Sequence, residues 1–277
     1  MKIIKTILIG LACCIYFTIA RAQSLRYMVS MPYSNLNAYS QVQTDVFSFT
    51  GNQAALTRLE QGGVGIFGER RFLLAATSSY IMAAALPTRH GNIGIELCYS
   101  GFKNFNENKV GIAYAKRLGS KVDMGVQFNY YSYRVPAYSN AGTINFEAGA
   151  IIRFTNKLSG GLHIYNPVGG KLGKGSGEKL AAAYKAGLGY DASDKFFVGI
   201  EMIKEEDKPV NITAGVQYHF TKLFFARAGI NSDAGGLFFG AGINWYNFRV
   251  DVAASYHFQL GFSPGILLIT NFKKKAR

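Results

Sequence analysis

The side chains able to do chemistry are few: four histidines, His90, His163, His219 and His257, and three cysteines. His257 shares a period-two face with Ser255 and Asp251, the three side-chain types of a hydrolytic triad. Alternate residues of a strand point the same way but are strung out along it, so this spacing does not gather them on one reacting atom. They read as a polar strand face, and no catalytic residue is assigned. The glycine-rich run 169–177 lacks the Gly-x4-Gly-Lys-Ser/Thr spacing that cradles phosphate, and reads as a surface loop. Cys13 and Cys14 fall in an N-terminal apolar segment, which leaves Cys98 without a disulfide partner or a metal-type spacing. The expectation is a non-enzyme with no metal and no cofactor.

That N-terminal segment has the order of a secretory signal. Lys2 and Lys5 precede an apolar run, Ile7 to Ala20, and Ala20-Arg21-Ala22 fits the small-x-small cleavage pattern. Residues 1–22 are therefore expected to be removed, with Gln23 as the new start. The residues before Cys13 and Cys14 make a poor lipidation signal. The formal charge of +14 suggests nucleic acid, but the basic residues are scattered, apart from a terminal tail at 273–277, and form no stripe with interleaved aromatics. Nucleic acid is not expected as a partner; a scattered excess of this kind reflects solvated turns and, at a bacterial surface, anionic lipid.

Composition then narrows the architecture. Only 17% of residues are charged, against roughly 25% in soluble domains, while 14% are aromatic and glycine outnumbers proline 32 to 6. No later apolar stretch approaches the length of a membrane-spanning helix. Period-two alternation recurs instead. In Val122–Tyr130, Val122, Met124, Val126, Phe128 and Tyr130 alternate with Asp123, Gly125, Gln127 and Asn129. The segments 210–220 and 248–258 repeat the theme, and weaker copies bring the number to about fourteen strands.

A soluble sandwich would alternate too, but two features favour a transmembrane barrel. Many apolar faces end in aromatics (Tyr99, Tyr130, Phe154, Tyr190, Phe220, Trp245, Phe258, Phe272), as interfacial girdles do. Tight connections near 87–91, 119–120, 156–157, 191–194, 221–222 and 246–247 alternate with longer ones at 69–75, 101–108, 132–142, 166–178, 204–208 and 231–236. That alternation is expected of an all-β, antiparallel, up-and-down outer-membrane barrel over residues 61–272, monomeric, with both termini in the periplasm. Its lumen would carry Glu96, Asp123, Gln127, Asn129, Glu147, Arg153, Lys185, Glu201, Arg227, Arg249 and Asp251. Both signs occur, so mutual salt bridges are favoured over a permeation lining.

The segment Asp45-Val-Phe-Ser-Phe-Thr-Gly-Asn52-Gln-Ala-Ala-Leu56 resembles the N-terminal Asn-Pro-Ala motif of FadL-like outer-membrane proteins, with Gln53 where that motif has proline. Gly68-Glu-Arg-Arg-Phe72 and Asp251 to Gly261 resemble the PorV/PorQ branch found in Bacteroidota. The resemblance implies a fourteen-stranded barrel whose N-terminal segment plugs the lumen. It implies an interaction or assembly role in type IX secretion, with secretion components or secreted cargo as partners. The alternative it implies is FadL-like passive transport of a hydrophobic small molecule. Within 23–60, Asn52 is a reasonable N-cap for a short helix from Gln53 to Leu59. With Asp45, Phe47, Phe49 and Leu56 beside it, the segment forms either a hatch inside the barrel mouth or a cap on its end. Pro264 and Gly160-Gly161 are the candidate weak points for a lateral gap.

Overall fold

A computed structural model describes residues 32–136, 139–170, 172, 179–206, 208–232 and 236–272. The expected signal segment 1–22 and the basic tail 273–277 lie outside the described residues. Fourteen antiparallel strands form one closed barrel: β1 (Gly63–Arg70), β2 (Ser78–Pro87), β3 (Asn92–Phe102), β4 (Phe105–Leu118), β5 (Val122–Val135), β6 (Ser139–Arg153), β7 (Leu158–Tyr165), β8 (Ala183–Ser193), β9 (Phe196–Glu205), β10 (Asn211–His219), β11 (Phe224–Asn231), β12 (Gly236–Trp245), β13 (Phe248–His257) and β14 (Gly261–Asn271). Each strand pairs with its sequence neighbours, and β1 closes on β14 from Gly63↔Asn271 to Glu69↔Gly265. In hydrocarbon an unpaired backbone N–H or C=O is costly, and closure leaves no free edge.

The strands obey the period-two pattern. Along β5 the odd residues Asp123, Gln127 and Asn129 are buried, while Met124, Val126, Phe128 and Tyr130 are exposed on the outer wall. The outer aromatics split into two girdles. Phe154, Tyr190, Phe220, Trp245 and Phe272 mark the end where β1 begins and β14 finishes, here the terminal end. Tyr99, Tyr130 and Phe258 lie towards the opposite, loop end.

Two connections differ from the sequence expectation. The stretches 101–108 and 132–142 are mostly strand: β3 and β4 are joined through residues 103–104, and β5 and β6 extend past Tyr131 to a register pair at Val135↔Ser139. Glu107 and Lys109 on the lumen face, with Asn106, Asn108, Ser132 and Asn140 on the outer one, make this stretch polar on both faces, which reads as loop although the backbone ladder continues. Of the candidate weak points, the two glycines are paired on both sides, whereas Pro264 is paired with β13 and lies one residue beyond the last β1 pair, Glu69↔Gly265. Gly160 pairs with Ile152 and Leu188, and Gly161 with Ile151 and Gly187, while Pro264 stands opposite Ala254. The described ladder has its register shift at Asp191/Ser193 in β8.

Residues 32–60 lie inside the barrel. They comprise helix α1 (Pro32–Asn37), the single turn α2 (Ser48–Gly51) and a 3-10 segment, Gln53–Arg58. Leu36, Phe47, Phe49 and Leu56 are buried in one apolar cluster with Phe67, Ile81, Ala83, Ala85, Leu267 and Ile269 of the wall. Its wall residues are densest on β14, β1 and β2, and it continues to Cys98, Ala113 and Ala115 on β3 and β4 and to Phe197, Phe238 and Ala253 on β9, β12 and β13.

A charge at mid-height on the outer wall must enter hydrocarbon. Val126→Arg is expected to destabilise the barrel by about 2–4 kcal/mol in urea titrations of vesicle-refolded protein. An unchanged midpoint would refute the assignment of that face to lipid.

Candidate functional site

Strand alternation aims each lumen side chain inward, and burial in a closed space forces those side chains to pair. Glu147, on β6 and fully buried, is the hub. It accepts hydrogen bonds from Gln53 Nε2 at 2.7 Å and Asn129 Nδ2 at 2.9 Å. His163 Nε2 lies 3.0 Å from it and Lys109 Nζ 3.5 Å. Lys109 also reaches Glu96 at 2.9 Å, and Gln127 donates to Glu96 at 2.8 Å. Asn129 continues the network to Asn145 at 2.8 Å, and Asn145 to Tyr165 at 3.2 Å.

Three arginines converge on a second centre, Asp123, near the terminal end. Arg153 Nη1 stands 2.6 Å from it, Arg117 Nε 3.2 Å and Arg58 Nε 3.6 Å. Burial pulls the Arg58 guanidinium down to about 10 against the attraction of Asp123, so it stays charged at neutral pH. Its other nitrogens donate to the Ser40 carbonyl and, at 3.2 Å, to Ser159 Oγ. The third centre is Asp251, clamped by Arg227 and, at 2.6 Å, by Arg249. Arg249 also reaches Asp45 at 2.9 Å. Both guanidinium groups lie over the Phe225 ring, 4.9 Å and 4.7 Å from its centroid.

The eleven lumen residues named from the sequence thus all face inward, and the structure distributes them among these centres. The remaining two contact the inner segment: Glu201 accepts from the Tyr39 hydroxyl at 2.7 Å, and Lys185 Nζ lies 3.5 Å from the Gly51 carbonyl. Sequence reasoning missed Lys109, His163 and Asp191 as network members. Asp191 accepts from Ser40 Oγ at 2.6 Å and the Gln41 amide at 2.7 Å. Lys109 sits where polar residues on both faces blur the alternation; the pairing of Ser40 with Asp191 spans 151 positions and leaves no local signal.

The inner segment fits through specific recesses. Asn52 caps the following turn, its Oδ1 accepting from the Ala54 amide at 3.1 Å, while Nδ2 donates to the Leu162 carbonyl at 3.0 Å. The capped element is the expected short helix, of 3-10 type, over Gln53–Arg58. Gln53 replaces the motif's proline with a side chain that reaches Glu147, a bond proline cannot make. A Cβ on Gly149 would fall 2.1 Å from Asn52 Oδ1, and one on Gly187 2.2 Å from the Tyr39 ring. Such wall positions admit only glycine while the segment stays in place.

The triad types do not converge. Asp251 is held by its arginines, whereas His257, six residues and about 20 Å further along the strand, accepts the Gln259 amide at 3.1 Å through Nδ1. Among the described residues no three His, Cys, Asp or Glu side chains are grouped to hold a metal ion. The hydrogen bonds and ion pairs of the lumen hold the segment from Tyr39 to Arg58 against the wall.

By sequence, the chain matches no family profile and no curated protein. Among solved structures it is similar to the CymD monoaromatic hydrocarbon channel, with a TM-score of 0.65 and 12% identity over 87% of this chain and 100% of that one. It is similar to the Ralstonia pickettii toluene transporter TbuX, with a TM-score of 0.62 and 11% identity over 86% and 99%. The Pseudomonas putida toluene transporter TodX gives 0.60 and 11% over 84% and 94%. Identities this low show a shared fold.

Two substitutions test the plug seat. Gly149→Val is expected to expel Asn52 at a cost of about 1–3 kcal/mol, leaving the barrel heat-modifiable on gels but exposing residues 41–60 to protease. Protease resistance equal to wild type would count against the seat. Glu147→Ala strands buried cations and is expected to cost about 3–5 kcal/mol, read as a fall in the urea midpoint.

Proposed function

We propose that this chain is a passive outer-membrane channel for hydrophobic small molecules, with the segment at residues 23–60 as its plug. The observation that carries the reading is the apolar side of the lumen. Phe67, Ile81, Ala83 and Ala85 on β1 and β2, with Leu267 and Ile269 on β14, form a continuous strip from the terminal end towards the loop end. A barrel filled only for stability needs no such strip beside its ion pairs, whereas an apolar solute needs a surface that does not strip it into polar contacts. The fold shared with three hydrocarbon channels or transporters supports the same reading. In the plugged state the strip is covered by Phe47, Phe49 and Leu56, so passage requires those side chains to give way to the solute. The type IX secretion role implied by the PorV/PorQ resemblance draws its support from end motifs, and the fold likeness favours transport over it.

Purified protein in liposomes is expected to accelerate toluene uptake over protein-free vesicles, with no gain for glucose. Uptake equal to empty vesicles, from heat-modifiable protein, would refute transport. Loss of cargo secretion on deletion of the gene would then restore the secretion role.

A further inference from the structure

The lumen cations Arg58, Lys109, Arg153, Arg227 and Arg249 are clamped by carboxylates. Those of the terminal rim are not. Lys121, Lys157, Lys195 and Lys222 each close a terminal-end turn immediately before an apolar residue, Val122, Leu158, Phe196 or Leu223, in four consecutive hairpins. Arg89 stands in the turn before them, between β2 and β3. All five are exposed, and none forms an ion pair among the described residues. Arg117, close by, turns inward to Asp123 instead.

One further cation interrupts the outer wall. On β4, Val110, Ile112, Tyr114 and Leu118 are exposed while Ala113 and Ala115 are buried, so the exposed Lys116 belongs to the lipid-facing row. Its register neighbour on β5 is the exposed Met124. At the terminal end it is the one charged side chain in an outward row of the described strands. It stands as far from the turn residue Gly119 as the girdle Tyr190 stands from Ser193, so its stem begins within the aromatic band and its ammonium can reach the rim. The turn beside it is pinned. Asn92 pairs with Ala115, which puts Gly91 next to Lys116. The Tyr114 hydroxyl donates to the His90 carbonyl at 2.6 Å. Gly91 takes φ +148° against that ring, where a Cβ would fall 2.5 Å from the hydroxyl oxygen. The turn carrying Arg89 is thus fixed on one side of Lys116, and Lys121 closes the hairpin on the other.

We propose that Arg89, Lys116 and Lys121 form a site for the phosphate of an anionic phospholipid in the periplasmic leaflet, with its acyl chain along Tyr114 and Leu118. A cation in a lipid-facing row, with no protein carboxylate beside it, needs a counter-ion at headgroup depth. A lipid supplies the phosphate and the apolar chain together, whereas a soluble anion or a glycan would leave the tyrosine and leucine side of the patch unused. An anionic headgroup brings no positive group of its own, while a zwitterionic one carries a cation into a patch that already holds three. Lys157, Lys195 and Lys222 have no cation in the outward row above them, so they add diffuse attraction rather than a site. The terminal end faces the periplasm in the orientation the short turns assign, which sets the leaflet. The site is on the outside of the barrel, and it stands or falls separately from the transport reading.

The test uses the full mature chain in a neutral detergent, with native mass spectrometry counting the lipid bound during a titration. Dimyristoyl phosphatidylglycerol is the probe and dimyristoyl phosphatidylcholine its control. Wild type is expected to hold the phosphatidylglycerol at least about tenfold more tightly. Lys116→Gln is expected to weaken it about fivefold, and Arg89→Gln with Lys116→Gln about 25-fold, with phosphatidylcholine unchanged. Lys195→Gln with Lys222→Gln removes equal charge elsewhere on the rim and is expected to change binding less than about twofold. These substitutions lie outside the lumen, and heat-modifiability on gels checks that each barrel is folded. Equal affinity of wild type for the two lipids, unchanged affinity in the Arg89 and Lys116 double variant, or an equal loss in the Lys195 and Lys222 one would overturn the proposal. Displacement of the lipid by soluble glycerol phosphate at equal concentration would overturn it as well.

Discussion

The seat of the inner segment depends first on one buried carboxylate. Glu147 is surrounded by Gln53, Asn129, His163 and Lys109, which come from the plug and from β5, β7 and β4. An isolated charge at that depth would be far too costly, so these partners are obligatory once Glu147 is there. Because one partner belongs to the plug, the carboxylate fixes where the plug sits. Gln53 at Glu147 puts Asn52 in the recess at Gly149 and, one and a half turns on, Arg58 beside Asp123. The same placement brings Phe49 and Leu56 to the recess at Gly94 on the far wall.

The glycine-rich composition follows from that placement. Tight turns use some glycine, as at Gly119 with φ +69°. Much of the remainder lines the lumen, where a Cβ would strike Tyr39, Phe47 or Asn52. The wall is thus cut to the shape of the plug, and the plug contributes large side chains where the wall has none. Packing of this kind fixes the position of the inner segment against the wall, each surface filling the recesses of the other.

Much of this was legible in the sequence, for a physical reason. A strand that faces lipid on one side and a crowded lumen on the other must alternate, so Val126 and Gln127 declare their faces without any three-dimensional information. The strand count, the barrel class and the inward direction of Glu96, Asp123 and Arg249 all come from that rule. It fails where both faces are polar, which is why the extensions of β3 to β6 read as loops. It is also silent about partners. Nothing near Ser40 announces Asp191, and nothing near Gln53 announces Glu147, because barrel closure brings together residues about a hundred positions apart.

The two sides of the lumen differ in what it takes to move the plug away from them. Towards β5–β9 the contacts are buried ion pairs and hydrogen bonds to charge, and separating one partner strands the other at a cost of about 3–5 kcal/mol. Towards β14, β1 and β2 the contacts are Phe47, Phe49 and Leu56 on Phe67, Ile81 and Ile269. Under the proposed transport function, an apolar solute entering there would replace one apolar neighbour with another at small net cost. Water and ions gain nothing from the same displacement, since they would trade hydration for hydrocarbon. Under the proposed transport function, a plug held by buried charge towards β5–β9 and by the Asp45–Arg249 pair at β13, and packed by apolar side chains towards β14, β1 and β2, would yield most readily to hydrophobic molecules on its apolar side.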